Sequence, residues 1–284
     1  MYTRREFLVQ SGGGVLLAGL PQRQLTIQDV INLIMEEMPY APLDTTVDSI
    51  KSGDPQQPVR AIITTFTATH QLIEFATRQA VNMIITHESI YYNHEDDTQW
   101  LDNNDIFQKK RQMLEDSGIV VWRLHDAWHN FQPDGILTGV LNTLGWQGYA
   151  DADRPHVCTI PSTSLAQLSQ FMKTRFKAKR IRVIGDAEMS CQKIGLLAGS
   201  SSGQRQIEML SEVDVLVVGE VREWETTEFV RDANWQGDQP KGLIVLGHAL
   251  SEEPGMKWLA DWLTPRLPSV IVAHQASGDP FYFV

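Results

Sequence analysis

Residues 82–88 read NMIITHE, so a run of apolar and β-branched residues ends directly on a histidine and a glutamate. The same design recurs in residues 119–126, IVVWRLHD, and in residues 242–248, GLIVLGH. Short apolar runs of this kind are typical of strands that are buried on both faces of a parallel sheet. The carboxyl ends of such strands open on one crevice, where α/β proteins bind their ligands. Histidines with nearby carboxylates at three strand ends therefore predict a site for a divalent metal ion.

The alternation of strand and helix patterns along the chain predicts an α/β protein with mixed, largely parallel sheets. Strands are predicted at residues 59–66, 82–86, 119–124, 180–184, 193–198, 213–218, 242–246 and 270–274, and helices at residues 26–35, 69–79, 105–117, 164–176, 204–210, 223–232 and 256–263. Thr26, with Asp29 three residues later, predicts the N-cap of the first helix. Residues 39–58 contain four prolines and predict a long loop.

We predict two α/β lobes rather than one. The first lobe comprises residues 25–148 and is completed by residues 249–284, and the second comprises residues 149–248. The crossing between them, residues 148–155, is polar and turn-like. The metal site is expected in the crevice at the carboxyl ends of the strands.

The N-terminus resembles an export signal. Residues 3–8 read TRREFL, and a weakly apolar stretch, residues 11–20, follows this arginine pair. The pattern favours a twin-arginine signal peptide over residues 1–24, although an ordinary N-terminal helix with a chance arginine pair is the alternative. The protein is expected in the periplasm or another extracytoplasmic space if this segment acts as a signal, and in the cytoplasm otherwise.

Composition excludes some partners. The formal net charge of −11 argues against nonspecific binding to nucleic acid, because phosphates would be repelled. No apolar stretch reaches the roughly 20 residues that span a bilayer, so an integral membrane protein is not expected. Cys158 and Cys191 lack CxxC spacing and are interpreted as a disulfide in an exported protein or as two separately buried thiols.

Four segments carry a resemblance to a known family. Residues 84–92, IITHESIYY, resemble the IxTHHPLFF element of the Nif-three-like family (NGG-interacting factor three), whose members have dinuclear metal centres. Residues 217–220 (VVGE), 247–252 (GHALSE) and 277–281 (SGDPF) are similar to its VTGE, GHYxxE and GDPF elements. The resemblance extends over residues 26–281, nearly the whole chain.

The resemblance implies a set of metal ligands. His87, His248 and Glu252 match the family's ligands directly. Glu88 stands where the family has a second histidine, and His129 stands where it has an aspartate. The exchange keeps the number of imidazoles and carboxylates, which fits a retained but retuned site, whereas a decayed site is the opposing interpretation. The resemblance implies two divalent ions per chain, of Zn, Mn or Fe, and added oxygen at one position would favour Mn or Fe over Zn.

Further residues near these motifs are given alternative roles. Asp126 is an alternative carboxylate ligand, and His125 is either a ligand or a group that orients one by hydrogen bonding. The acidic stretch at residues 94–97, HEDD, is interpreted as a solvated loop. The glycine-rich segment at residues 199–203 is interpreted as a capped turn before a helix, since it lacks a phosphate-binding lysine.

Two functions are compatible with this pattern. In the first, the protein is a dinuclear metal-dependent hydrolase of a small phosphorylated or nucleotide-like substrate, in which Glu220 or His125 shuttles the proton. The family label GTP cyclohydrolase is implied by the resemblance alone. In the second, the protein is a metal carrier or an interaction scaffold, whose partners are metal donors and acceptors. The resemblance also implies a homo-oligomer, with the hexamer as the expected form.

Overall fold

The computed structural model describes residues 24–39, 43, 45–282 and 284. The predicted export signal lies outside these residues, apart from position 24. The helices are α1 (Ile27–Glu36), α2 (His70–Arg78), α3 (Asp105–Ser117), α4 (Asp126–Asn130), α5 (Gly135–Leu144), α6 (Leu165–Arg175), α7 (Gly203–Glu212), α8 (Glu228–Gln236) and α9 (His248–Leu263). The strands are β1 (Ile50–Ser52), β2 (Ala61–Thr65), β3 (Met83–Thr86), β4 (Val120–Arg123), β5 (Val157–Ser164), β6 (Arg182–Ile184), β7 (Ser190–Leu197), β8 (Val215–Val218), β9 (Gly242–Val245) and β10 (Ile271–His274).

The first sheet has the order β1-β4-β3-β2-β10. Its three pairings from β4 to β10 are parallel, and β1 joins the edge antiparallel to β4. The residues of β2, β3 and β4 are all buried, which explains why their sequences are continuously apolar rather than alternating. Thr86 pairs with Arg123 at the carboxyl ends of β3 and β4, so the segments that follow these two strands emerge side by side.

The second sheet has the order β5-β7-β8-β9-β6. The inner strands β7, β8 and β9 are parallel, whereas the edge strands β5 and β6 are antiparallel to their neighbours. Leu197 pairs with Val218, and Val218 pairs with Val245, so the carboxyl ends of the three inner strands are level. The prediction of an α/β fold with mixed, largely parallel sheets is confirmed.

The chain divides into two units of contacts. One unit consists of Met1–Gly135 and Met256–Gly278, and the other of Ile136–Gly255 and Asp279–Val284. The first boundary differs from the predicted one after residue 148, because α5 buries Leu137, Val140 and Leu144 in the core of the second sheet. The second boundary falls within α9 rather than before it, so this helix contributes residues to both units.

Several elements form as the sequence predicts. Thr26 caps α1 in a reciprocal capping box with Asp29, whose carboxylate accepts a hydrogen bond from the Thr26 N–H at 2.9 Å. The segment before α7 is a capped turn, in which the Ser202 hydroxyl accepts a hydrogen bond from the Arg205 N–H. Cys158 and Cys191 are buried free thiols, in agreement with the second interpretation given for them.

Other predictions about the elements were wrong. The proline-rich segment at residues 39–58 contains β1, and β5, α4 and α5 were not predicted at all. The last helix begins at His248 instead of Met256 and includes Pro254, so Glu252 lies inside the helix and not at its start. Pro254 lies within this helix although it cannot donate a hydrogen bond to the carbonyl of residue 250. In the part of the chain that the structure describes, no helix is long and apolar enough to cross a membrane.

Candidate metal centre

The end of β3 turns His87 inward. The His87 N–H donates to the carbonyl oxygens of Thr65 and Phe66, both at 3.2 Å, and the Glu88 N–H donates to the Phe66 carbonyl at 2.8 Å. These bonds end the regular strand, so consecutive side chains need not point to opposite faces. The His87 side chain is fully buried, and its Nδ1 lies 3.2 Å from the carbonyl oxygen of Leu124.

The short helix α4 carries His129, one turn after His125 at its N-cap. Asp48, which the sequence analysis missed, holds the start of this helix. Its carboxylate accepts hydrogen bonds from the backbone N–H groups of His125, Asp126 and Ala127, at 2.5, 3.0 and 2.7 Å. A carboxylate at this position satisfies N–H groups that have no partner within the helix and complements the helix dipole.

These elements bring together His87, His125 and His129, which we call the histidine cluster. The rings of His87 and His125 are stacked with centroids 4.6 Å apart, and His129 lies edge-on to them at 4.9 and 5.1 Å. One ring nitrogen from each histidine lies within 4.8 Å of the others. Three imidazole nitrogens at this separation fit the ligand set of a single Zn²⁺ or a similar ion.

Each Nδ1 of the histidine cluster faces a hydrogen-bond acceptor. The acceptor is the Leu124 carbonyl for His87, the Asp126 carboxylate at 2.8 Å for His125, and the Asp134 carboxylate at 3.1 Å for His129. An acceptor at Nδ1 selects the tautomer whose proton is on Nδ1 and whose lone pair is on Nε2. This is the arrangement found around histidines that bind metals.

Asp126 was predicted as an alternative metal ligand. In the structure its carboxylate lies next to Nδ1 of His125 and positions that ring. Besides His125, its carboxylate accepts hydrogen bonds from the Thr46 hydroxyl at 2.9 Å and from the Val47 N–H at 3.0 Å. Burial alone would raise the pKa of Asp126, but the hydrogen bonds from His125, Val47 and Thr46 hold that pKa below its usual value. The carboxylate is therefore an ionised acceptor that orients His125.

Glu88 lies next to a fully buried arginine on β4. The Arg123 guanidinium donates from Nη2 to Glu88 Oε2 at 2.9 Å and from Nε to the His87 carbonyl oxygen at 3.1 Å. The other carboxylate oxygen, Oε1, lies 3.6 Å from Nε2 of His125. Two ligand atoms that each lie about 2.1 Å from one tetrahedral metal ion are about 3.4 Å from each other. Glu88 Oε1 thus has a separation from His125 that suits two ligands of one ion.

His94 belongs to the same neighbourhood, although it is exposed, as its interpretation as part of a solvated loop predicts. One ligand atom each from Glu88, His94 and His125 lie within 4.8 Å of one another. Asp96 of the same loop is buried, with 4% of its side chain exposed, and forms an ion pair with Lys51 at 3.0 Å. A signal for this loop existed in the sequence, because Arg123 within an apolar strand requires buried acceptors.

A second group of donors lies at the strand ends of the second unit. His248, at the start of α9, contacts Glu252 through Nε2 at 3.1 Å and Glu220 through Nδ1 at 3.0 Å. Glu252 is buried, whereas half of the Glu220 side chain is exposed. Glu220, predicted as a proton shuttle, is thus placed where it orients the imidazole of His248. The pair His248 and Glu252 offers the nitrogen and oxygen atoms that a divalent ion binds.

Gly199 makes room for this second group. Its φ is +66°, and a Cβ at this position would lie 1.8 Å from Oε1 of Glu252 and 3.3 Å from Nε2 of His248. The Gly199 N–H donates to the Ser251 hydroxyl at 2.9 Å, which in turn donates to the His248 carbonyl at 2.8 Å. The glycine is therefore required both for its backbone conformation and for the close approach of the Glu252 carboxylate.

Comparison with known proteins agrees with this fold. A family model described as Duf34/NIF3 (NGG1p interacting factor 3) matches residues 25–279. A protein of Clostridium acetobutylicum named GTP cyclohydrolase 1 type 2 homolog is 23% identical over 279 residues, which cover 91% of this chain and 99% of that protein.

Two crystal structures show the same architecture. A Bacillus cereus protein related to NIF3 has a TM-score of 0.72 at 14% identity, with 93% of this chain and 100% of that chain covered. Staphylococcus aureus protein SA1388 has a TM-score of 0.70 at 17% identity, with 92% of this chain and 100% of that chain covered. Because the family model matches most of its length, the chain belongs to the Duf34/NIF3 (NGG1p interacting factor 3) family.

Proposed function

We propose that the protein is a metal-dependent hydrolase of a small, phosphorylated or nucleotide-like substrate. The observation that carries this proposal is the histidine cluster, in which three imidazoles converge with an acceptor at every Nδ1. An acceptor at Nδ1 alone is not distinctive, since His156 has one as well, but here three such imidazoles also bring one ring nitrogen each within 4.8 Å of one another. Burial of a set of oriented imidazoles lowers the free energy of unfolding, and binding of a metal ion would offset that loss.

The residues of the site have distinct parts in this proposal. A bound divalent ion would supply a water of lowered pKa, about 7, and would polarise the bond under attack. The histidine cluster would hold that ion, and the Asp126 and Asp134 carboxylates would fix two of its imidazoles. Glu88 Oε1 would add a negative ligand, while Arg123 keeps the other oxygen in place. His248 and Glu252 would provide the donors for a second ion per chain.

The substrate class has support from the family. The Clostridium acetobutylicum relative is named as a homologue of a GTP cyclohydrolase, an activity on a nucleotide. A hydrolase that uses divalent ions suits phosphoryl and amide-like bonds, both of which occur in such molecules. We therefore place nucleotides and simple phosphoesters first among the substrates to be tested.

A metal carrier is the second candidate, and one observation favours it. The two residues predicted to shuttle protons are both engaged in the structure: His125 faces Asp126 and Glu88, and Glu220 faces His248. A carrier needs oriented ligands and access but no proton-transfer group. In that case the same ligands would bind metal without turnover.

The experiment that separates these functions is a metal add-back assay. Protein stripped by a chelator would be given Zn²⁺, Mn²⁺ or Fe²⁺ and assayed on a panel of phosphoesters and nucleotides. The hydrolase proposal predicts turnover only after metal is added, and a loss of about 100-fold or more in His129→Ala. The control is His156→Ala, a histidine whose Nδ1 also contacts a backbone carbonyl but which lies outside the candidate groups.

The outcomes of this assay distinguish the hydrolase from the carrier and test the role of the histidine cluster. Turnover that persists in the stripped protein would contradict metal dependence. Stoichiometric metal binding that is lost in His129→Ala, with no turnover on the whole panel, would favour the carrier. Equal turnover in His129→Ala and His156→Ala would remove the histidine cluster from the proposed site.

A further inference from the structure

Four imidazoles lie near the carboxyl ends of β3 and β4. In three of them Nδ1 faces a hydrogen-bond acceptor, and in the fourth it faces a donor. In the histidine cluster every Nδ1 faces an acceptor, which leaves the lone pair on Nε2. Nδ1 of His94 instead lies 3.4 Å from Nη2 of Arg123. A guanidinium group can only donate, so Nδ1 of His94 must present its lone pair there. The proton of a neutral His94 is therefore on Nε2.

We infer that His94 is a substrate-binding residue, whose Nε2–H donates a hydrogen bond to an anionic oxygen of the substrate, rather than a fourth metal-binding imidazole. A metal ion needs a lone pair, and the nitrogen of His94 that faces away from Arg123 carries a proton. This inference rests on the proposed function, because it names a residue that would bind the substrate of that site. It assigns a function to a residue that the sequence motifs pass over.

Arg123 determines which nitrogen of His94 carries the proton, because its guanidinium is fully buried and makes several other hydrogen bonds. Its guanidinium also donates to the carbonyl oxygens of His94 and His87 and to the Glu88 carboxylate. A buried guanidinium with these partners cannot turn away from His94 without losing several hydrogen bonds. The same arginine therefore holds both the backbone and the ring of His94.

The loop that carries His94 is held by a second buried charge. The Asp96 carboxylate accepts hydrogen bonds from the Ser89 hydroxyl at 2.6 Å and from the N–H groups of Ile90 and Tyr91, both at 2.9 Å. Its other oxygen pairs with Lys51 at 3.0 Å. These contacts hold the segment in place through Asp96, while the side chain of His94 on the same segment is exposed.

The position of His94 suits contact with a bound substrate. Its side chain is exposed, while its ring is 5.3 Å from the ring of His125, edge-on at 79°. A ligand bound at the histidine cluster would thus lie close to the His94 ring. Glu88 is also close to His94, but its charge is balanced by Arg123 at 2.9 Å, so an anion is not simply repelled.

The test uses metal-loaded full-length protein with inorganic phosphate as the probe. We would measure metal content per chain by elemental analysis and phosphate affinity by calorimetry in the wild type, His94→Ala and His94→Gln. The inference predicts unchanged metal content in both variants and a phosphate affinity about 10- to 100-fold weaker in His94→Ala, the usual size for a hydrogen bond to a charged group. His94→Gln keeps an N–H donor and should recover part of that loss.

Glu95→Ala, the exposed neighbour on the same loop, is the matched control and should not weaken phosphate binding. A drop in metal content in His94→Ala would show that His94 is a ligand and would overturn the inference. Equal phosphate affinity in His94→Ala and Glu95→Ala would also overturn it, as would a loaded wild type that does not bind phosphate. If phosphate binding depends on His94 while no substrate is hydrolysed, the proposed function fails and His94 keeps only the role of an anion-binding residue.

Discussion

At the scale of single residues, hydrogen-bond partners rather than residue types distinguish the histidines. His125 and His94 are both imidazoles near the end of a strand, yet one faces a carboxylate and the other a guanidinium. The sequence indicates His125, because this residue directly follows an apolar run. For His94 the sequence gives only an indirect indication, because Arg123 within an apolar strand requires buried acceptors whose identity depends on the fold.

Lys110 permits a prediction about pH. Its side chain is buried and its Nζ donates to the Ile90 carbonyl at 2.6 Å. Burial lowers the pKa of Lys110 to about 8, against a smaller opposing effect of Asp96. The unfolded chain then binds more protons than the folded one between about pH 8 and its usual lysine pKa, so the free energy of unfolding should rise with pH in that range.

Comparison with Lys110→Met isolates this effect. The variant, which cannot ionise, should lose stability relative to wild type by about 3 kcal/mol as the pH rises from 7 to 10.5. The measurement is denaturant unfolding of both proteins at several pH values, with Lys109→Met as the exposed control. A difference between wild type and Lys110→Met that stays constant over this range would contradict the prediction.

Gly199 permits a second prediction at this scale. Gly199→Ala should displace the Glu252 carboxylate, because the new Cβ would lie 1.8 Å from its Oε1. Gly237→Ala is the matched control, since Gly237 also has a positive φ, +83°, but no atom of the residues that the structure describes lies within 4 Å of its ideal Cβ. Both variants should lose about 1 kcal/mol of stability through backbone strain, and Gly199→Ala should lose more because the buried Glu252 carboxylate has to move.

Only Gly199→Ala should also weaken metal binding, by about 10-fold, as measured by titration of the stripped protein. Equal metal affinity in the two variants would show that the Glu252 carboxylate has no part in binding.

At the scale of elements, continuous apolar runs identified the inner strands, because β2, β3, β4, β8 and β9 are buried on both faces. The antiparallel edge strand β5 escaped prediction because it is partly exposed and its sequence is mixed. The helix α4 escaped prediction because it has only five residues and its capping group, Asp48, is 77 residues away in the chain.

Asp48 permits a prediction at the scale of this helix. Asp48→Ala should destabilise the protein by about 1–2 kcal/mol, because three N–H groups at the start of α4 lose their acceptor. It should also lower metal affinity, since α4 carries His129. Thr69→Ala is the control: the Thr69 hydroxyl caps α2 by accepting from the Leu72 N–H at 3.1 Å, and this helix carries no residue of the histidine cluster.

Thermal unfolding should show losses of similar size in Asp48→Ala and Thr69→Ala. Metal titration should separate them, with weaker binding in Asp48→Ala alone. If both variants bind metal as the wild type does, the helix start does not position His129.

At the scale of the whole molecule, the order of the motifs indicated the family and the two sheets. Of the candidate residues named from the sequence, the structure brings His87, His125 and His129 into one group and His248 and Glu252 into another, and their role as metal ligands stays a prediction. The partners Asp48, Asp134 and Arg123 were missed, because hydrogen bonds between segments distant in sequence depend on tertiary structure. The number and identity of the metal ions stay a prediction.

The reactivity of the two cysteine thiols can be used to follow unfolding of the second unit. Burial raises the pKa of the Cys158 and Cys191 thiols to about 11 each, so neither forms a reactive thiolate near neutral pH. We expect both to react with a thiol reagent only as the second unit unfolds, and the rate to follow the fraction unfolded in denaturant. Rapid reaction of one thiol in the folded protein would contradict their buried positions.

Metal content per chain tests the central claim most directly. Elemental analysis would be made on the wild type and on His87→Ala/His129→Ala, each stripped, exposed to Zn²⁺, Mn²⁺ or Fe²⁺ and freed of excess ion, with His156→Ala as the control. The account predicts at least one bound ion per chain in the wild type and in His156→Ala, and a loss of about one ion per chain in the double variant. A folded wild type that retains no ion, or a double variant that retains as much as the wild type, would contradict it.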